Sequence, residues 1–212
     1  MIISARHNFV FVKTRKTAGT SIEVFLASCI EPSAVATPIN PPEDGHQARN
    51  YLADPSSQGS ALRFWNHMPA WQIRDELCAE AWETYRTFCV ERNPWDQVIS
   101  AYSMLRRRGN PDLSWEDYLA SGDFFLNHQL YTEPDDPSKI IVDDVVLYEE
   151  LSDGLRQIFA DVAIRFEGDL GVRAKGDYRT DRRHYRNWYS EDQAALVAAA
   201  FANEISLFGY EF

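Results

Sequence analysis

Cysteine is scarce in this sequence: Cys29, Cys78 and Cys89 are the three in 212 residues. They cannot all pair with one another and none forms a CxxC, so neither a disulfide framework nor a thiolate metal site is expected. Cys89 lies in an apolar run and reads as a small buried hydrophobe. Long apolar runs are lacking too: Asn8 to Val12 and Ala194 to Ala202 fall far short of the roughly 20 residues a membrane-spanning helix needs. The N-terminal MIISARHNFVFVK has no basic start, long apolar run or small-residue cleavage site. The expectation is therefore a cytoplasmic protein without membrane insertion. Positive charge is in deficit, with 21 Lys and Arg against 32 Asp and Glu and a net charge of −11. That balance speaks against general nucleic-acid binding. An acidic chain that binds a polyanion must gather its cations at one place.

No internal repeat or domain boundary stands out, so residues 1–212 read as a single domain with an irregular excursion at about 31–60, rich in Pro, Ser, Asp, Asn and Gln. Asn8 to Val12 is a short run of apolar β-formers and predicts a buried strand. Thr20 to Cys29 predicts a helix, with Ile22, Phe25, Leu26 and Cys29 on its inner face. A helix from Pro69 to about Ala81 precedes a second core strand at Tyr85 to Glu91. Trp95 to about Arg107 predicts a helix burying Val98, Ile99, Tyr102 and Leu105. Ser114 caps a further helix, Val145 to Tyr148 forms a strand, and helices follow at Glu149 to Val162 and Glu191 to Phe208, the last capped by Ser190. Alternating strands and helices imply an α/β fold: a three-layer sandwich around a mainly parallel central sheet, opening with a P-loop-like strand–loop–helix.

Two stretches carry chemistry. KTRKTAGTS at Lys13 to Ser21 joins the first strand to a helix, where free backbone amides and the helix dipole form an anion site. Lys16 adds a mobile cation, Thr17, Thr20 and Ser21 add hydroxyls, and Gly19 permits close backbone approach. A nucleotide-kinase P-loop needs GxxxxGK[ST]. Here Lys16 precedes Gly19 and residues 13–18 contain no glycine, so the match fails where that motif is strictest. The second stretch, ERNPWDQVISAY at Glu91 to Tyr102, also leaves a core strand for a helix. Arg92 offers planar multi-donor recognition of phosphate, and Ser100 lies about two turns into the helix.

FVKTRKTAGTSIE closely resembles the 5′-phosphosulfate loop of PAPS-dependent sulfotransferases, with the KTAGTS core most similar to the carbohydrate branch. R-x-P-x-x-x-x-x-S-x-Y resembles the same family's 3′-phosphate motif. The resemblance implies that Arg15, Lys16, Thr17, Gly19, Thr20 and Ser21 wrap the 5′-phosphosulfate of the donor PAPS, with Lys16 also catalytic. It implies that Arg92 and Ser100 bind the 3′-phosphate retained in the product PAP, and that Tyr102 packs. A histidine between the motifs often serves as base in the carbohydrate branch. His67 holds that place, with His46 as the substitute. A loop before the last helix often closes over the nucleotide, which points to Arg179, Arg182 and Arg183 in RTDRRHYR. Arg106 to Arg108 read as a solvated helix end, and the terminal FGYEF as packing. The expected function is sulfuryl transfer from PAPS to a hydroxyl or amine of a carbohydrate or small metabolite, with no metal required. The rivals are a P-loop-type nucleotide kinase, which needs Mg²⁺, and a PAP-binding protein without catalysis.

Overall fold

The computed structural model describes residues 1–54, 56, 61–172, 174 and 178–212. The end of the expected excursion, at 55 and 57–60, lies outside the described residues. The first strands are β1 (Ile2–Ser4) and β2 (Phe9–Phe11), paired antiparallel as a hairpin. Helix α1 (Gly19–Cys29) follows, and then β3 (Val35–Ala36), within the expected excursion, pairs antiparallel with β1. After α2 (Ala70–Glu76) and α3 (Ala79–Thr84) comes β4 (Arg86–Glu91), parallel to β2. Helices α4 (Pro94–Arg108) and α5 (Trp115–Ser121) lead to a separate hairpin of β5 (Thr132–Glu133) and β6 (Asp136–Ile140). Strand β7 (Asp144–Leu147) runs parallel to β4, and α6 (Leu151–Asp161), α7 (Glu191–Ala200) and α8 (Ala202–Phe208) complete the chain.

The main sheet has the order β3-β1-β2-β4-β7. Its pairings leave β1 as the one strand opposed to the other four, so the sheet is mostly parallel. Alternation along the strands sorts their side chains to two faces. Ile2, Phe9, Phe11, Phe88 and Val90 join Ile22 and Leu26 of α1 and Leu155, Ile158 and Phe159 of α6 in one core. Ile3, Val10, Val12 and Cys89 point the other way, to Ala70 and Ile73 of α2 and to Tyr131. Helical material on both faces makes the three-layer sandwich. A third, aromatic cluster joins Trp95 and Tyr102 of α4, Tyr118 of α5, and Val197 of α7 with Phe201 beyond it.

The main departures from the sequence reading have packing causes. β1 is three residues long and buried on both faces, so it carries no alternation to read. The expected 69–81 helix breaks at Leu77 and Cys78, both extended. Leu77 and Trp82 both pack on the second core. On one straight helix, residues five apart point about 140° from each other, and the break lets both turn inward. The last helix likewise bends at Phe201, which fills the aromatic cluster while Leu207 and Phe208 turn to the second core. Ser114 and Ser190 cap as expected, accepting from Asp117 N and Gln193 N, the latter in a full capping box.

Candidate active site

Because β2 and β4 are parallel neighbours, the segments leaving their C-terminal ends emerge side by side. Such an edge is where open α/β sheets bind ligands. The two stretches singled out in the sequence are those two segments. Arg92 Nη1 donates to the carbonyl of Lys16 at 2.9 Å, so the second stretch holds the backbone of the first.

The loop after β2 is a constrained turn. Lys16 and Ala18 take positive φ, 66° and 63°, in the left-handed region that L-residues enter at a cost. Those two residues turn the chain so that α1 starts at Gly19 with no side-chain cap. Ile22 N is the first amide to bond within the helix, to Ala18 O at 3.1 Å. The amides of Gly19, Thr20 and Ser21 therefore precede the helical ladder and supply an uncapped positive end. Gly19 is required by space: a Cβ there would sit 2.8 Å from Lys13 Cγ and 3.3 Å from Thr14 O. Thr17 is buried and faces inward, its hydroxyl 2.7 Å from that of Thr14. Ser21 Oγ accepts from Ala174 N at 3.1 Å, which brings the segment before the last helices to the start of α1. Lys16 and Thr20 are half-buried at the mouth of the turn.

Arg92 is buried and already engaged. Its Nε and Nη2 both donate to Asp96 Oδ2, at 2.9 and 2.5 Å, and its guanidinium lies 4.1 Å from the Tyr148 ring centroid. Counting the bond to Lys16, three of five N–H groups have acceptors among the described residues, which leaves one on each Nη. Asp96 also receives Arg179 Nη1 at 2.5 Å, and these two cations hold its carboxyl below the usual carboxylate range, outweighing its burial. Arg179 thus arrives beside Arg92 through a shared carboxylate. Ser100 is half-buried one turn beyond Asp96 on the same face of α4. The other members of the basic run sit elsewhere. Arg183 pairs with Asp181 and lies over Trp188, while Arg182 is exposed. Arg106 and Arg108 close the end of α4 against Pro111 O and Asn40 O. Tyr102 is buried, its hydroxyl on Leu113 O.

His67 meets the same loop from the other side. Its Nδ1 lies 2.9 Å from Lys13 O. A carbonyl only accepts, so Nδ1 carries the proton and Nε2 keeps the lone pair of a base. Burial, followed by the charge of Lys13, lowers the imidazole pKa to about 3, and Arg15 adds to the effect. His46 is half-buried, with its pKa lowered mainly by burial.

Several supporting residues escaped the sequence reading. Asn127 is buried and clamps Arg15 twice, accepting from its N–H at 2.8 Å and donating to its carbonyl at 3.0 Å. Gln97 bridges Arg15 O and Phe125 O at 3.3 and 2.7 Å. Glu91, at the end of β4, accepts from Arg92 N at 2.8 Å and Asn127 Nδ2 at 3.3 Å, with Tyr131 Oη 2.7 Å away. Burial pushes its pKa up to about 8 despite those donors. None of these left a readable signal; Asp96, four residues after Arg92 at the start of a helix, did. Because the folded protein holds a proton on Glu91 that the unfolded chain releases near 4.5, that contribution is complete at low pH and is lost as pH rises to about 8. Glu91→Gln keeps the same acceptor oxygen and is expected to flatten the loss of stability across that window; thermal melts from pH 5 to 9 check it.

Among the described residues no group of three His, Cys, Asp or Glu is placed to hold a metal, and no helix is long and apolar enough to cross a membrane. The fold is that of the sulfotransferases. It matches the crystal structure of mouse sulfotransferase SULT7A1 complexed with PAP with a TM-score of 0.50 and 16% identity, over 98% of this chain and 87% of that one. No family model matches the chain. An "Uncharacterized protein" of Archaeoglobus fulgidus is 33% identical over 113 residues, which span 52% of this chain and 94% of that protein. This chain belongs to the same family as that archaeal protein.

Proposed function

We propose that the protein is a PAPS-dependent sulfotransferase, acting over residues 1–212 as one domain on the hydroxyl or amine of a carbohydrate or small metabolite. The observation that carries this reading is the bond from Arg92 to Lys16 O, which joins a candidate 3′-phosphate ligand to a candidate phosphosulfate loop. The uncapped start of α1 fits a polyanion, and the two spare N–H groups of Arg92 fit phosphate oxygens. Lys16, Gly19, Thr20 and Ser21, together with the backbone of Arg15 and Thr17, would hold the 5′ end of the donor. Arg92, Ser100 and Arg179 would hold the 3′-phosphate, with Arg182 and Arg183 at the rim. The KTAGTS core is the ground for placing the acceptor among carbohydrates or small hydroxyl compounds. The three free thiols accord with a reducing, cytoplasmic setting.

PAPS supplies an activated sulfuryl group. As the acceptor oxygen bonds to sulfur, the bond from sulfur to the bridging 5′-phosphate oxygen breaks, and that oxygen leaves with the electron pair as part of PAP. Lys16 and the first amides of α1 stabilise the charge growing on the leaving oxygen. His67 takes the acceptor proton on Nε2, since Nδ1–H is held by Lys13 O. A polyanion beside Lys13, Arg15 and Lys16 offsets the cationic field that depresses His67 and raises its basicity.

His67→Ala is expected to lower kcat about a hundredfold or more. In the wild type, kcat/KM stays level from pH 8 to 5, because the free imidazole is neutral down to about 3. The acid limb of kcat falls at higher pH than that of kcat/KM. An inflection of kcat/KM near 6.5, the pKa of an ordinary histidine, contradicts this assignment. The direct test of the reading is release of PAP and transfer of labelled sulfate when the protein meets PAPS and a broad acceptor panel. PAP binding without transfer to any acceptor would reduce the protein to a nucleotide binder.

A further inference from the structure

Beside the loop lies a cleft of about 190 Å³ lined by Arg15, Phe124, Phe125, Leu126, Gln129 and Leu130. Its wall is the segment 124–130, and this wall is fixed at four points. Asn127 is bonded to both polar backbone groups of Arg15, and Gln97 ties Phe125 O to the same residue. His128 is bonded through its backbone N and Nδ1 to Glu204 Oε1 of α8, at 3.1 and 3.0 Å. Phe124 rests on Tyr118 and Phe201 of the aromatic cluster. The cleft is thus held by the same residues that position the phosphosulfate loop.

Its chemistry is uneven in a telling way. Four of its six side chains are apolar, and the cation among them has no carboxylate partner among the described residues. Arg15 instead lies over the Phe125 ring, its Cζ 5.0 Å from the centroid. Arg15 is exposed on this wall, and a guanidinium without an acid beside it is open to an anion. The backbone of Arg15 belongs to the candidate donor loop and its side chain to the cleft. His67 is bonded to Lys13 O, two residues before Arg15, so cleft, loop and candidate base are joined through one turn. The volume is below the 300–1,000 Å³ usual for drug-sized ligands and fits a single ring, not an extended polymer.

We infer that this cleft is the acceptor subsite and that it takes a small ring-bearing molecule whose carboxylate pairs with Arg15. The inference rests on the sulfotransferase reading for the word acceptor, but the binding itself is measurable without turnover. The experiment is a calorimetric comparison of 4-hydroxyphenylacetate with its neutral amide, on wild type and Arg15→Gln, with and without PAP. The carboxylate is expected to bind wild type at least tenfold more tightly than the amide, and Arg15→Gln should erase the difference. Leu126→Trp, which fills the cleft, should abolish binding of both probes. Equal affinity for the two probes, a preference that survives Arg15→Gln, or no binding of either overturns the inference. If PAP binds and the carboxylate preference is absent, the cleft assignment fails and the donor site stands. If the preference is present and PAP does not bind, the cleft stands as an anion-reading site and the sulfotransferase reading fails.

Discussion

Lys16→Met is expected to lower turnover of PAPS about a hundred- to a thousandfold, with PAP affinity reduced far less. Lys16 lies in the turn that precedes the uncapped start of α1, where the proposed reaction would build negative charge on the leaving phosphate oxygen. A donor aimed at charge that grows during reaction contributes to the transition state more than to binding, typically about 3–4 kcal/mol. Thermal melts of the variant beside wild type separate any effect on folding from the effect on catalysis. The side chain is half-buried, and the backbone of Lys16, which Arg92 holds, is unchanged by the substitution. Its positive φ is kept by the same loop constraints. Single-turnover rates with an identified acceptor, beside PAP titrations of both proteins, separate the two effects. A parallel loss of binding and rate would make Lys16 a ground-state ligand only.

Arg92→Gln is expected to weaken PAP about thirty- to a hundredfold while 5′-AMP changes by less than about threefold. A charge-assisted hydrogen bond is worth about 1.5–3 kcal/mol, and a bidentate pair lies at the upper end of that range. The two N–H groups of Arg92 without acceptors among the described residues are the ones that, in the proposed reading, would meet a 3′-phosphate. Asp96 retains Arg179 after the change, so its carboxylate is not stranded without a cation. That limits damage to the fold. Thermal melts accompany the titrations for this reason. Equal weakening of PAP and 5′-AMP would mean that Arg92 acts by supporting the Lys16 turn and not by reading the 3′-phosphate.

The frame of the sandwich was legible because its main elements are local. Phe9 to Phe11, Gly19 to Cys29, Arg86 to Glu91 and Pro94 to Arg108 match the periodic stretches read from sequence within a residue or two. Two strand-to-helix junctions with phosphate-binding residue types marked the candidate site in the sequence. What remained hidden depends on distant partners. Asn127 holds Arg15 from 112 residues away, and nothing in LNHQL announces that bond. The protonated state of Glu91 follows from complete burial at a strand end, where sequence shows only an acid after an apolar run. Lys13 begins the polar KTRKTAGTS stretch, yet it is buried against Glu23 and serves the fold. Arg179 stood out from Arg182 and Arg183 only when Asp96 was seen to hold it.

The central claim is that Arg92 and the Lys16 turn form one nucleotide site that reads a 3′-phosphate. Its most direct test is a calorimetric titration of the purified protein with PAP, beside 5′-AMP and Mg²⁺–ATP. A clear preference for PAP, without any need for Mg²⁺, is the predicted result. A preference for Mg²⁺–ATP, or binding of none of the three, contradicts the account.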